Sequence, residues 1–404
     1  MPREPLELAR SIGDRFVRWQ GASGRPDPET CPFVTRKPQF YPPNTHCTAP
    51  IARALYRLAD RTGETGYKES ADRYAIFSFS YPRDPVAPWS DPQKTLWLQR
   101  AAERPPNTSC ATFQYGLALD PAWTEFRRHN PEEDCFDARA DSLFDWTQRR
   151  RTDRGQAYEL GYAPTDPNIP DWAFTDDLRL IGSGLIGYYE ETGRQSALEA
   201  ALRLGDYYLR AHQPGTAEGA FLQDLGTWCI GPWPPVVSVE HLTEFRLDQN
   251  GWGWSARGAA EFLARVHAAL PPNHPRAALM QDRCLRSVRW QFGCQFPEGA
   301  VGLCGQDDHW LGMTAGALLS LADVRRAGWS TAELEQDLGP AIAQARTWLL
   351  EAATEEFLDA GGYRKVTGRS SPTPPDNLAC LLAWTVEALL RWDESEPIRT
   401  NGAA

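Results

Sequence analysis

Two pairs of neighbouring carboxylates stand out for chemistry, in Thr175-Asp176-Asp177-Leu178 and in Gln306-Asp307-Asp308-His309-Trp310. Carboxyl groups set close together can divide labour, one donating a proton while the other activates water, which is what cleavage of a glycosidic bond requires. Crowded carboxylates also raise one another's pKa, which helps to keep one of them protonated near neutrality. Aspartate is equally a favoured helix cap, where its charge suits the helix dipole, so position has to decide between the two roles. Aromatic residues surround both pairs: Trp172 precedes the first, Trp310 closes the second, and Trp252 and Trp254 open another apolar stretch. An indole face suits the apolar C–H face of a sugar ring, or else anchors a loop. Arg246 could pair with a substrate carboxylate, as could Arg36, Lys37, Arg364, Lys365 and Arg369. His46, His241 and Asp376 complete the polar groups at corresponding places along the chain. The catalytic candidates are therefore Asp176, Asp177, Asp307, Asp308 and His309, and the substrate-binding candidates His46, Trp172, His241, Arg246, Trp252, Trp254, Trp310 and Asp376.

Soft ligands also occur, in His46-Cys47, Cys110, Cys304 and His309, but none has paired metal-ligand spacing. They read better as buried structural cysteines, and no metal or other cofactor is expected. A Cys47 thiolate activated by His46 is a weaker alternative. The near-copies Pro42-Pro43-Asn44-Thr45-His46-Cys47 and Pro105-Pro106-Asn107-Thr108-Ser109-Cys110 read as stiff loops ending in helix caps.

The elements that must position these residues are helices of two kinds. Stretches 48–62, 111–119, 178–192, 253–270, 309–326 and 378–391 are apolar nearly all round and rich in small residues. Stretches 4–20, 67–79, 133–150, 195–212, 275–293 and 337–353 carry one charged face. A helix apolar on every side is buried, whereas one with a single apolar stripe lies at the surface. Six of each in alternation predict an all-α (α/α)6 toroid, or barrel, of six inner and six outer helices. Inner-to-outer turns are short, with Gly63, Gly193 and Gly328 among them, whereas outer-to-inner connections run long and carry many aromatics. Long ordered connections in a compact domain are usually functional, and these all end at inner-helix starts, so the candidate residues gather at one face of the ring. One barrel domain over 1–395 is expected, with a disordered tail over 396–404 and room for a small hairpin in 213–250.

Composition bounds the partners. The 404 residues carry a formal net charge of −11, which argues against nucleic acid or an anionic membrane. With 42% apolar residues and sixteen tryptophans the chain can fill a large core. The amphipathic start MPREPLELARSIGDRF lacks the apolar core of a signal peptide, and no run reaches transmembrane length. The nine cysteines are odd in number and scattered, so a cytoplasmic setting is expected; oligomeric state is left open.

The stretch FTDDLRLIGSGLIGYYEETGRQSALEAA resembles the unsaturated uronyl hydrolases, glycoside hydrolase families 88 and 105, and NGWGWSARGAAEFL resembles their next Gly-Trp inner helix in the same chain order. The resemblance covers about a third of the chain. It implies an (α/α)6 barrel that releases an unsaturated uronic acid from oligosaccharides, an aspartate protonating the C4=C5 double bond while water adds at C5. Carried over, that aspartate is Asp176. The family's arginine before the Gly-Trp has no match here: Asp248 stands at its position, with Arg246 two residues earlier.

The expected function is a glycoside hydrolase acting on uronate-containing oligosaccharides, with Asp176 as proton donor and Asp177, Asp307 or Asp308 assisting. The alternatives are a sugar epimerase using His241 and His309, a polysaccharide lyase, and a helical scaffold that binds a carbohydrate without turnover.

Overall fold

The computed structural model describes residues 4–22, 24, 26–27, 30–31, 45–80, 116–149, 175–210, 253–302, 308–365 and 377–395. Helix α1 (Pro5–Trp19) shows how an outer helix is made. Pro5 occupies the first turn, where its missing N–H costs nothing, and Leu8, Ile12 and Phe16 form the single buried stripe. The other outer helices are α3 (Thr65–Ser80), α5 (Asp137–Arg149), α7 (Gln195–Arg210), α9 (Ala277–Gly293) and α11 (Ala332–Ala352).

The inner helices are α2 (Thr45–Thr62), α6 (Thr175–Thr192), α8 (Gly253–Ala268), α10 (Leu311–Arg326) and α13 (Asn377–Leu390), together with α4. Helix α4 opens as a π-helical turn (Ala118–Trp123) and continues as Thr124–His129. Asp120 departs from helical geometry within that turn, at φ −136° and ψ 123°. Helix α10 has no exposed side, for every residue from Leu311 to Val324 is buried. The inner helices pack in the order α2, α4, α6, α8, α10, α13, and α13 returns against α2 to close the ring. Helix α1 lies against α13 and α2 across that last seam, and Arg15 ties it to Glu355 and Asp359 of the short helix α12 (Glu355–Asp359). The six inner and six outer helices are those expected of the (α/α)6 barrel.

Small residues set how closely the inner helices approach. A Cβ on Gly184 of α6 would lie 2.6 Å from the Gly116 carbonyl oxygen, and one on Gly116 would lie 2.4 Å from that of Leu180. On the other side of α6, a Cβ on Gly182 would meet the Phe262 ring of α8 at 2.5 Å. Three inner-to-outer turns share one device, a glycine in the left-handed region just past the inner helix: Gly63 (φ 73°), Gly193 (φ 68°) and Gly328 (φ 70°).

Several boundaries differ from expectation. Helix α2 begins at Thr45 rather than 48 and runs through Pro50; helix α11 begins at Ala332 rather than 337 and runs through Pro340. A proline marks the first turn well but does not forbid an earlier start, and at α11 the Thr331 hydroxyl caps the helix by accepting the Leu334 N–H. The second inner helix, α4, runs further toward the C-terminus than 111–119, with residues 111–115 outside the described residues. His309 and Trp310, expected in the first turn of α10, lie instead in β1 (Asp308–Trp310), which pairs antiparallel with β2 (Tyr363–Lys365). The pairing sets His309 opposite Arg364 and Trp310 opposite Tyr363, so the connection before α10 is stitched to the one before α13. The possible hairpin in 213–250 and the tail 396–404 lie outside the described residues.

Candidate functional site

Each inner helix follows an outer one through a reversal, so the inner helices run parallel. Side chains confirm the direction, because the C-terminal halves of all six inner helices converge on one cavity. Arg57, Glu125, Glu190, Arg265, Asp323 and Glu387 all line it. The N-terminal ends of the inner helices therefore share the opposite end of the ring, which is where the sequence concentrates its candidate chemistry.

Asp176 and Asp177 fall within the first turn of α6, since that helix begins at Thr175; the sequence had placed them just before it. A first-turn carboxylate still meets the positive end of the helix dipole, although it is no longer the cap itself. His46 lies in the first turn of α2 and Trp254 in the first turn of α8. Asp308 lies in β1, directly before α10. Side chains are not described at these five positions, and Trp172, His241, Arg246, Trp252, Asp307 and Asp376 lie outside the described residues.

His309 and Trp310 are described in full, and both are built into the wall. The His309 ring is 8% exposed and meets Phe296 and Trp348 edge-on at 4.8 and 5.8 Å. Its Nε2 lies 2.5 Å from Glu298 Oε1. Trp310 is 2% exposed and rests on Tyr363 with ring centroids 4.4 Å apart. This packing and the β-pairing make both residues supports for the start of α10. Arg364, another candidate cation, lies over the Phe357 ring at 5.3 Å. Among the described residues, no group of three or more His, Cys, Asp or Glu side chains could hold a metal ion. Cys47 is 2% exposed, and burial pushes the Cys284 and Cys294 thiols up, Cys294 to about 12. No helix among the described residues is long and apolar enough to cross a membrane.

The cavity at the C-terminal end was not anticipated. It has a volume of about 540 Å³ and is walled by arginines and carboxylates. On one side Glu387, 1% exposed, accepts from Arg53 Nε and Arg57 Nη1, both at 2.9 Å. Asp323 accepts from Arg257 Nη1 at 2.7 Å and from Arg326 and Arg391 at 2.9 Å. Glu261 joins these two groups by pairing with Arg53 at 2.8 Å and Arg257 at 3.4 Å. On the other side Arg265 bridges Asp120 and Glu190, each at 2.7 Å, and the Thr124 hydroxyl donates to Asp120.

Two carboxyls on that second side are driven in opposite directions. Burial alone would raise Asp120, but Arg265, Arg53 and the Thr124 hydroxyl outweigh it and hold Asp120 below the usual carboxylate range. Glu125 is pushed up by burial, which Arg57, Arg53 and Arg128 offset only in part. Its nearest cation among the described residues, Arg128 Nη1, is 4.0 Å away. Sequence carried a signal for this ring of charge. Arg53/Arg57, Arg257/Glu261/Arg265 and Glu387/Arg391 recur at i,i+4 within otherwise apolar helices, and such a stripe in a buried helix has to face the axis.

No protein-family model and no curated protein sequence matches the chain. Comparison with solved structures does place the fold, that of helical (α/α)6-barrel proteins. The unsaturated glucuronyl hydrolase from Bacillus sp. GL1, described as responsible for the degradation of glycosaminoglycan, is 14% identical, with a TM-score of 0.63 over 96% of this chain and 97% of that one. A glycosyl hydrolase family 88 protein from Bacteroides vulgatus is 15% identical, with a TM-score of 0.57 over 96% of this chain and 100% of that one. The GH76A α-1,6-mannanase from Salegentibacter sp. HEL1_6 is 11% identical, with a TM-score of 0.58 over the same two shares. An inactive variant of that mannanase, with two consecutive aspartates replaced by asparagine, is in complex with α-1,6-mannotriose. A polysaccharide lyase shares the fold as well, at 15% identity and a TM-score of 0.53.

Proposed function

We propose that this chain is a carbohydrate-active enzyme, a glycoside hydrolase acting on uronate-containing oligosaccharides, with Asp176 as proton donor. The observation that carries the reading is a consecutive aspartate pair in the first turn of an inner helix of an (α/α)6 ring. Glycoside hydrolases of this fold support it, among them the mannanase whose inactive variant lacks two consecutive aspartates.

In this reading the carboxyl of Asp176 delivers a proton to the sugar, and Asp177, or Asp307 and Asp308 from the connection before α10, orients or activates the attacking water. Tryptophans 172, 252 and 254 offer faces on which sugar rings stack, with His46, His241, Arg246 and Asp376 as polar contacts around them. His309 and Trp310 act from behind, holding the start of α10. One domain spans the barrel, and the partner is the oligosaccharide itself.

The test is turnover of unsaturated uronyl disaccharides, followed through the ultraviolet absorbance of the conjugated double bond. The wild-type chain removes that absorbance, and Asp176→Asn lowers kcat by about 10²–10⁴-fold, the usual worth of a general acid. Full activity in Asp176→Asn would remove this residue from the mechanism. A polysaccharide lyase is the second reading, favoured by the lyase that shares the fold. It creates the double bond, so the same assay on intact polysaccharide shows absorbance rising instead. Cleavage of α-1,6-mannotriose without loss of absorbance on uronyl substrates would keep the hydrolase and replace the sugar.

A further inference from the structure

The cavity at the C-terminal end of the inner ring is larger than an axial plug of ion pairs needs. At about 540 Å³ it lies in the range of small-molecule sites, and its charges are unevenly shared. On the α2, α8, α10 and α13 side, five guanidinium groups (Arg53, Arg57, Arg257, Arg326 and Arg391) meet three carboxylates of the wall, Glu261, Asp323 and Glu387. Glu394 reaches Arg391 from outside the wall and still leaves that side short of negative charge. Asp323 alone serves three arginines.

Two of the five have spare donors that reach solvent. A guanidinium offers five N–H groups. Among the described residues, Arg57 makes one hydrogen bond, to Glu387, and Arg326 makes one, to Asp323. Their side chains are 30% and 61% exposed, so the spare donors sit where the cavity meets solvent. Burial first, and then the like charges of Arg391 and Arg57, hold Arg326 below its ordinary range. On the α4 wall of the cavity stands Glu125, 7% exposed, with no described cation closer than 4.0 Å. A buried carboxyl without a tight partner is costly unless something else hydrogen-bonds it.

We propose that this cavity is a second ligand site, at the opposite end of the barrel from Asp176, for a small hydroxylated oxyanion. The ligand's phosphate or carboxylate takes the spare donors of Arg57 and Arg326, and its hydroxyls meet Glu125. Forked guanidinium pairing suits either oxyanion, and a hydroxyl can both donate to and accept from a carboxyl group. The proposal rests on the cavity alone and is independent of the reaction assigned to Asp176.

The experiment measures thermal stability and calorimetric binding of the full chain with four probes: glucose 6-phosphate, glucuronate, inorganic phosphate and glucose, at constant ionic strength. Glucose 6-phosphate or glucuronate is expected to bind saturably, and which of them binds tighter identifies the oxyanion; glucose does not bind. Arg57→Gln and Arg326→Gln each weaken the bound probe by about tenfold, the worth of one charge-assisted hydrogen bond. Both sit at the rim, and their melting temperatures without ligand verify that they fold. Glu125→Gln weakens the hydroxylated probe more than inorganic phosphate, while Asp176→Asn leaves the affinity of every bound anion unchanged. Absence of saturable binding by either hydroxylated anion, or parental affinity in both arginine variants, overturns the proposal. Loss of binding in Asp176→Asn would also overturn it, by moving the ligand to the other end of the ring.

Discussion

Among the buried carboxyls, Glu125 and Asp120 share one cavity yet answer pH with opposite sign. Asp120 is held below its unfolded value by Arg265, so its contribution is present above the usual aspartate range and is lost as pH falls through its folded value. Glu125 is raised by burial, so its protonated form suits the fold. Its contribution is complete below the unfolded value of 4.5 and is lost as pH rises through the folded value. Glu125→Gln, which keeps the shape without the charge, should therefore unfold at a higher temperature than the parent at neutral pH. The advantage should vanish below the ordinary glutamate range. Calorimetry at two pH values checks this, and a variant equally or less stable at neutral pH contradicts it. The Asp176→Asn assay also belongs to this scale, because it asks what one carboxyl does.

At the scale of elements, glycines do two different jobs that mutation can separate. Gly193 has nothing within 4 Å of an added Cβ, so Gly193→Ala pays only for a left-handed backbone, about 1 kcal/mol. Gly184 lies against the backbone of Gly116, so Gly184→Ala forces two inner helices apart, at a cost of about 1–3 kcal/mol or more. Urea unfolding of both variants should rank them in that order. Helix type was legible in the sequence because burial on every side leaves a pattern that a single apolar stripe does not, and α10 shows it over fourteen consecutive buried residues. The end of the ring that holds Asp176 was legible for a related reason, the contrast between glycine turns and long connections. What escaped was pairing between distant segments. Nothing local in Asp308-His309-Trp310 announces that its partner strand is Tyr363–Lys365, so these residues read as a helix start. The axial charges escaped because a helix that is nearly apolar invites one to overlook its exceptions.

The whole molecule is held by contacts that join the ends of the chain to each other. Arg53 of α2 reaches Glu387 of α13 and Glu261 of α8, drawing three inner helices to one point. Removing one partner of a buried pair strands the other, which typically costs about 3–5 kcal/mol. Glu387→Gln should lower stability on that order, seen as a shift of the urea midpoint. Arg53→Met combined with Glu387→Met should cost less than the sum of the two single changes, because neither member of the pair then strands the other. A double variant as unstable as the sum of its singles would show that the two residues do not act as a pair.

The closed seam has a bearing on how the ring comes into being. Arg53 and Arg57 lie in the first inner helix, whereas the carboxylate that receives both is on the last one, 334 and 330 residues further along. As the chain leaves the ribosome, α2 can pair at once with α3, but its axial cations have no Glu387 to meet until nearly all of the barrel has been made. An open arc that shut too early would enclose those cations without their counterion, which is unfavourable. The order of synthesis thus brings Glu387 to Arg53 and Arg57 only when α13, the helix that closes the ring, arrives.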